Sequence, residues 1–261
     1  MLCTGAMKAI VSVRAGALAA LAFGACAVCS ACGSCSKGDS PAPAPSASAS
    51  VSASAPAPAA KVPNTPASVV HPDLLEPSKA TAKAPEVFRA RFSTNKGEVV
   101  IEVHRDWAPL GADRFYNLVK LGFYDDTRFF RVIPGFLAEF GISGDPAVSA
   151  KWMNLNLQDE TALQSNKRGY VAFVQGNTPN SRTTEIVIDT GDNVKLDAAK
   201  FAPFGLVVSG LDVVDLLYGE YGEGEPAGKG PNQSIILGRG NAYTDKGFPQ
   251  LDAIRTAVVV P

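Results

Sequence analysis

Thr127 to Asp145 reads TRFFRVIPGFLAEFGISGD: one arginine, Arg131, set among aromatic and aliphatic residues, a Pro134-Gly135 turn, and a second apolar run from Phe136. Successive side chains of a strand face opposite sides. A strand over 127–133 therefore puts Phe130 and Val132 on one face and Phe129, Arg131 and Ile133 on the other. Both faces are apolar, and one carries a cation. A half-buried strand is apolar on one face only, so the second apolar face requires another layer of protein or a ligand.

Upstream, VFRARFS alternates Phe88, Ala90 and Phe92 with Arg89 and Arg91. Asn95-Lys96-Gly97 makes a turn, and Val99, Ile101 and Val103 then alternate with Glu98 and Glu102, the pattern of a hairpin. Pro109 suits a first helical position, and the spacing of Ala112, Phe115, Leu118 and Val119 predicts an amphipathic helix ended by Gly122. Residues 145–168 read mostly as loop. Strands are expected at Tyr170–Gln175, Glu185–Asp189, Ser234–Gly238 and Thr256–Val260, and FAPFGLVV leads into a second helix near Leu211–Tyr218. About eight short strands and two helices fit a closed antiparallel barrel with helical caps, because closure removes unpaired edges.

All five cysteines, Cys3, Cys26, Cys29, Cys32 and Cys35, precede residue 36, so the rest of the chain has neither a disulfide framework nor a cysteine metal site. A net charge of -1 gives no electrostatic case for nucleic acid. Lys8 and Arg14 precede an apolar run from Ala15 to Val28, shorter than the ~20 residues a spanning helix needs, which reads as a secretory signal. Small residues before Cys32 (Ser30, Ala31), or before Cys26 (Gly24, Ala25), resemble the cleavage box of bacterial lipoproteins. The expectation is a leader over 1–31, a lipid-attached Cys32 with Cys26 as the alternative, and anchoring in a bacterial envelope. The Ala/Pro/Ser-rich 32–85 region cannot bury enough apolar area to offset its ordering entropy and reads as a tether. A folded domain occupies 86–261.

Several enzyme motifs fail. Gly222-Glu-Gly224-Glu-Pro-Ala227 imitates a dinucleotide fingerprint but follows a helix and carries a proline where a helix would start, so it reads as a loop. Gly228-Lys229 lacks the remainder of a phosphate loop, and there is no HExxH pair or GxSxG elbow.

FFRVIPGF, with NLVKLGFYDDTRF before it and NSRTT and FAPFG after it, resembles the cyclophilin family of peptidyl-prolyl cis/trans isomerases from about Val87 to Val260. The resemblance implies a mainly β fold, an eight-stranded antiparallel barrel capped by two helices, with its groove on the outer surface. It implies X-Pro polypeptides as partners, no cofactor and no metal. Arg131 and Phe136 take the catalytic positions, Arg131 donating to the prolyl nitrogen and Phe136 walling the ring. Leu137, Glu139, Phe173, Val174, Gln175, Glu185, Val187 and Phe201 take the substrate-binding positions.

Several of these differ from the family pattern. Leu137 replaces a methionine, Glu139 and Glu185 replace glutamines, Val187 a phenylalanine, Val174-Gln175 an Ala-Asn pair and Phe201 a histidine, while the tryptophan position falls near Lys195. An ionised glutamate only accepts hydrogen bonds, so Glu139 would pair with Arg131, either orienting it or keeping it from substrate. Two carboxylates would make the groove locally anionic. The reading is a monomeric, exported, lipid-anchored isomerase acting on envelope proteins. The alternatives are a prolyl-peptide-binding module or holdase without turnover, and a structural envelope lipoprotein.

Overall fold

A computed structural model describes residues 71–261. The expected leader, Cys26, Cys32 and the expected tether up to residue 70 lie outside the described residues. Eight strands form one antiparallel sheet: β1 (Val87–Thr94), β2 (Glu98–His104), β3 (Arg131–Ile133), β4 (Leu137–Phe140), β5 (Tyr170–Phe173), β6 (Ile186–Asp189), β7 (Pro203–Ser209) and β8 (Ile254–Val260). Their spatial order is β3-β4-β6-β5-β7-β2-β1-β8. The sheet is curled, with β3 and β8 at its edges. Among the described residues these edges share no ladder. They approach just ahead of each strand, where Phe129 N donates to Asp252 O (2.9 Å) and Ile254 N to Thr127 O (2.9 Å).

The local signals explain the first elements. Phe88, Ala90 and Phe92 of β1 and Val99, Ile101 and Val103 of β2 are all buried, as their alternation requires. Helix α1 (Pro109–Lys120) starts at the proline and buries Ala112, Phe115, Leu118 and Val119. It ends in a left-handed Gly122 (φ 70°), with Gly122 N donating to Val119 O and Phe123 N to Leu118 O, the bond pair of a Schellman stop. Phe115 meets Phe204 at 4.9 Å between centroids and Phe92 at 6.0 Å, so the helix closes an aromatic core inside the curl.

Several expectations are corrected. The 127–133 stretch is a strand only over Arg131–Ile133, because 127–129 turns away to bond 252–254. Alternation breaks there: Phe129 and Val132 both enter the main core, and Phe130 packs instead with Ile142 and Ile236. Residues 145–168 contain helix α2 (Pro146–Trp152), capped by Asp145 Oδ1, which accepts from Ala147 N (2.8 Å). The FAPFGLVV run is mostly β7, α3 (Lys195–Ala198) precedes it, and the helix after it, α4 (Leu211–Asp215), is shorter than expected.

Ser234–Gly238 is not a strand but part of helix α5 (Gln233–Arg239), followed by α6 (Asn241–Gly247). Asn232 decides this, since its side chain accepts from Ser234 N and Ile235 N as an N-cap. The end of the expected tether also belongs to the domain. Leu74 is 4% exposed, its carbonyl accepts from Trp152 Nε1 (2.8 Å), and Ala82 and Ala84 bond to Asn117 and Asp113 of α1. Among the described residues no helix is long and apolar enough to cross a membrane.

Candidate active site

Alternation sorts the side chains of the central strands onto two faces. Ala138 and Phe140 of β4, Ile186 and Ile188 of β6, and Val171 and Phe173 of β5 point into the main core. Their neighbours Leu137, Val187 and Ala172 form a separate apolar cluster on the other face, with Phe136, Val174 and Phe201 packed against it. The problem posed by the 127–133 stretch is answered by protein, since Phe130 is covered by Ile142 and Ile236, and the second apolar face lies on β4, β5 and β6.

The candidate residues therefore divide. Phe136, Leu137, Val174, Val187 and Phe201 come together. Phe173 does not, being 1% exposed and 5.2 Å from the Phe204 ring inside the core. The reason is parity, because Phe173 and Val174 are adjacent and cannot share a face. Ala172, which the sequence reading passed over, has the right parity. Gln175 lies past the end of β5 and donates to Thr178 O (2.9 Å).

Registry then builds a polar row beside the cluster. Arg131 pairs with Glu139 across β3–β4, Glu139 with Val187 across β4–β6, and Val187 with Ala172 across β6–β5. On the open side of β3, Gly222 of the glycine-rich loop makes an antiparallel bridge to Val132, which sets Glu223 opposite Arg131. Arg131 Nη1 donates to Glu139 Oε2 (2.9 Å), while Nε and Nη2 donate to Glu223 Oε1 (2.7 Å) and Oε2 (2.8 Å). Gln233 Nε2, at the start of α5, donates to Glu139 Oε1 (3.1 Å). The Arg131 guanidinium carbon lies 5.8 Å from the Phe136 ring centroid, and Lys195 Nζ lies 4.5 Å from the same ring.

Glu139 is 2% exposed, and burial raises its pKa despite the opposing pull of Arg131. Glu185, two residues before Val187, is pushed up to about 8 by burial and by the Glu139 charge beside it. At neutral pH Glu185 thus keeps its proton and donates to Glu139. Burial is the largest single influence on Glu223 and raises its pKa, but the hydrogen bond and charge of Arg131 and the Gly224 N–H together outweigh it and hold that carboxyl below its usual range. The expected second anionic partner is Glu223 rather than Glu185. With Lys195 over Phe136, two cations face two carboxylates, so the groove is not the anionic one expected. No spacing rule joins Glu223 to Arg131, 92 residues apart, and Gln233 carries no motif.

The buried proton has a measurable consequence. Below about pH 4.5 folded and unfolded chains both hold it; from there to about pH 8 only the folded chain does, so its contribution to stability declines as pH rises through that window. Glu185→Gln removes the effect. In urea unfolding between about pH 5 and about pH 8.5 the variant should gain on wild type by more than ~1.4 kcal/mol, the worth of one pKa unit. Parallel pH profiles would contradict the assignment.

Comparison with known proteins is consistent with this geometry. Residues 89–234 match the family model for cyclophilin type peptidyl-prolyl cis-trans isomerases. The chain is 35% identical over 129 residues to a peptidyl-prolyl cis-trans isomerase of Acinetobacter baylyi, covering 48% of this chain and 68% of that one. It is 32% identical over 177 residues to peptidyl-prolyl cis-trans isomerase B of Escherichia coli, covering 65% and 97%. A cyclophilin type isomerase from Cryptosporidium parvum shares the fold at a TM-score of 0.50 and 18% identity, covering 67% of this chain and 98% of that one. With its apolar outer cluster, its Arg131 row and a family match over more than half its length, the chain belongs to the cyclophilin-type peptidyl-prolyl cis-trans isomerase family.

Proposed function

We propose that the protein catalyses cis/trans isomerisation of X-Pro peptide bonds, with the outer cluster seating the proline ring and Arg131 acting on the bond. The observation that carries this is the adjacency of an apolar cluster, whose inner wall is Leu137, Ala172 and Val187, to a guanidinium at its rim. About 18–20 kcal/mol of amide resonance opposes the rotation. Resonance is lost when the prolyl nitrogen pyramidalises, and an N–H donor aimed at that nitrogen stabilises the twisted state more than the planar one. Three bonds commit three N–H groups of Arg131. A guanidinium has five, so one on Nη1 and one on Nη2 are left for substrate. Phe136, Leu137, Val187 and Phe201 supply the wall, and Val174 extends it.

The protonated Glu185 changes the meaning of one departure from the family pattern. A carboxylic acid donates through its O–H, as a glutamine amide donates through its NH2, so Glu185 supports Glu139 where two carboxylates would repel. The double ion pair on Arg131 also favours the second reading, a prolyl-peptide binder without turnover, since each carboxylate offsets part of the guanidinium charge.

The two readings separate by exchange spectroscopy of a short X-Pro peptide. Wild type should exceed the uncatalysed rate, and Arg131→Ala should lose about 10²–10³-fold, the worth of one preorganised donor in a water-poor site. Binding without acceleration would establish the module reading, and equal rates for Arg131→Ala and wild type would remove Arg131 from the chemistry.

We further propose exported or envelope polypeptides as clients and a lipid anchor at Cys32, with Cys26 the alternative. The basic residues Lys8 and Arg14, the apolar run to Val28 and the small residues before each cysteine support this. Cys32→Ser should move the protein from the membrane to the soluble fraction of a bacterial host, and retention would shift the assignment to Cys26 or end it.

A further inference from the structure

The loop between α4 and α5 contains Gly219, Gly222, Gly224, Gly228 and Gly230, and it is folded around a single residue, Glu223. Gly230 N donates to Glu223 O (2.8 Å), and Gly224 N donates to Glu223 Oε1 (3.1 Å). A Cβ on Gly228 would lie 2.3 Å from Glu223 O, and one on Gly230 2.9 Å from it, so the backbone wraps Glu223 only because both positions are glycine. A Cβ on Gly219 would meet Pro134 at 2.9 Å, which brings the loop against the turn that carries Phe136. The single Val132–Gly222 bridge completes the placement by docking the loop on the open β3 edge of the sheet.

We propose that Glu223 is a positioning residue for isomerisation: it fixes the guanidinium of Arg131 so that the two N–H groups left free meet the prolyl amide. This rests on the isomerase reading above. A lone ion pair to Glu139 leaves a guanidinium free to rotate about its Nη1 contact. The side-on, two-oxygen contact from Glu223 fixes its plane as well. The loop approaches from the opposite side of β3 to Glu139, so Arg131 is gripped across its width by two elements distant in sequence. Glu223 is more exposed (41%) than Arg131 (18%), as expected of a residue at the rim that holds its partner without entering the apolar cluster.

The test uses the full chain and two readouts. In exchange spectroscopy with an X-Pro peptide, Glu223→Ala should lower kcat about 10- to 100-fold, the cost of a misplaced catalytic group. KM should not change, since Glu223 does not touch the ring pocket. Glu223→Gln, which keeps one acceptor oxygen, should fall between. Gly228→Ala, which must push the loop away, should resemble Glu223→Ala. In nitrogen-15 spectra the Arg131 Nε–H should exchange slowly with water in wild type and rapidly in Glu223→Ala.

A Glu223→Ala chain with unchanged or raised kcat, or one that keeps the slow Nε–H, overturns the positioning role. A raised kcat would show that Glu223 withholds Arg131 instead. A wild type no faster than the uncatalysed exchange defeats the isomerase reading itself, and the Nε–H measurement still reports separately whether Glu223 holds the guanidinium.

Discussion

The Arg131 guanidinium between Glu139 and Glu223 is the interaction around which the functional face is arranged. A cation taken partly out of water is costly unless paired and hydrogen-bonded. Glu139, almost fully buried, is the more demanding partner, and it is satisfied from three sides by Arg131, Gln233 and the Glu185 proton. The carboxylate row makes Arg131 a fixed feature of the sheet rather than a mobile surface side chain. Removing any one member takes a bond from at least one other, so a substitution here also perturbs its partner.

The sheet can carry this row because its two faces do different work. The inner face is filled by large rings: Phe115, Phe92, Phe140, Tyr124, Phe173 and Phe204. The outer face of β4, β5 and β6 carries small and medium side chains, Leu137, Ala172 and Val187, which are buried beneath the half-buried Phe136, Val174 and Phe201. Phe136 and Phe201 stand at its margin, and the cation of Lys195 faces Phe136. An aromatic core lies behind this cluster, while the glycine-rich loop brings the remaining charge from the open edge of β3.

Much of this was legible locally. The β1–β2 hairpin, helix α1 with its glycine stop, and the strands around Val171 and Val187 each carry their own periodicity. The FFRVIPGF run announced Arg131 and Phe136 together. What was missed was settled by tertiary contact or by a cap. Ser234–Gly238 has the β-branched look of a strand, but the Asn232 cap and the burial of Ile236 against Phe130 make it helix. Asp145-Pro146 was a readable helix start that went unused. Phe173 was assigned to the groove by resemblance, where strand parity points to Ala172. Leu74 reaches the fold only through Trp152 and its neighbours, and Glu223 reaches Arg131 only because a loop completes a sheet edge; neither leaves a local signature.

The most direct test of the account is where a proline ring sits. Isotope-filtered nuclear Overhauser spectra of the protein with a bound X-Pro peptide should show contacts from the proline ring to the Leu137, Ala172 and Val187 methyl groups and to the Phe136 and Phe201 rings. Contacts to residues elsewhere on the surface, with none to this cluster, would contradict the assignment of the outer face of β4, β5 and β6 as the prolyl site.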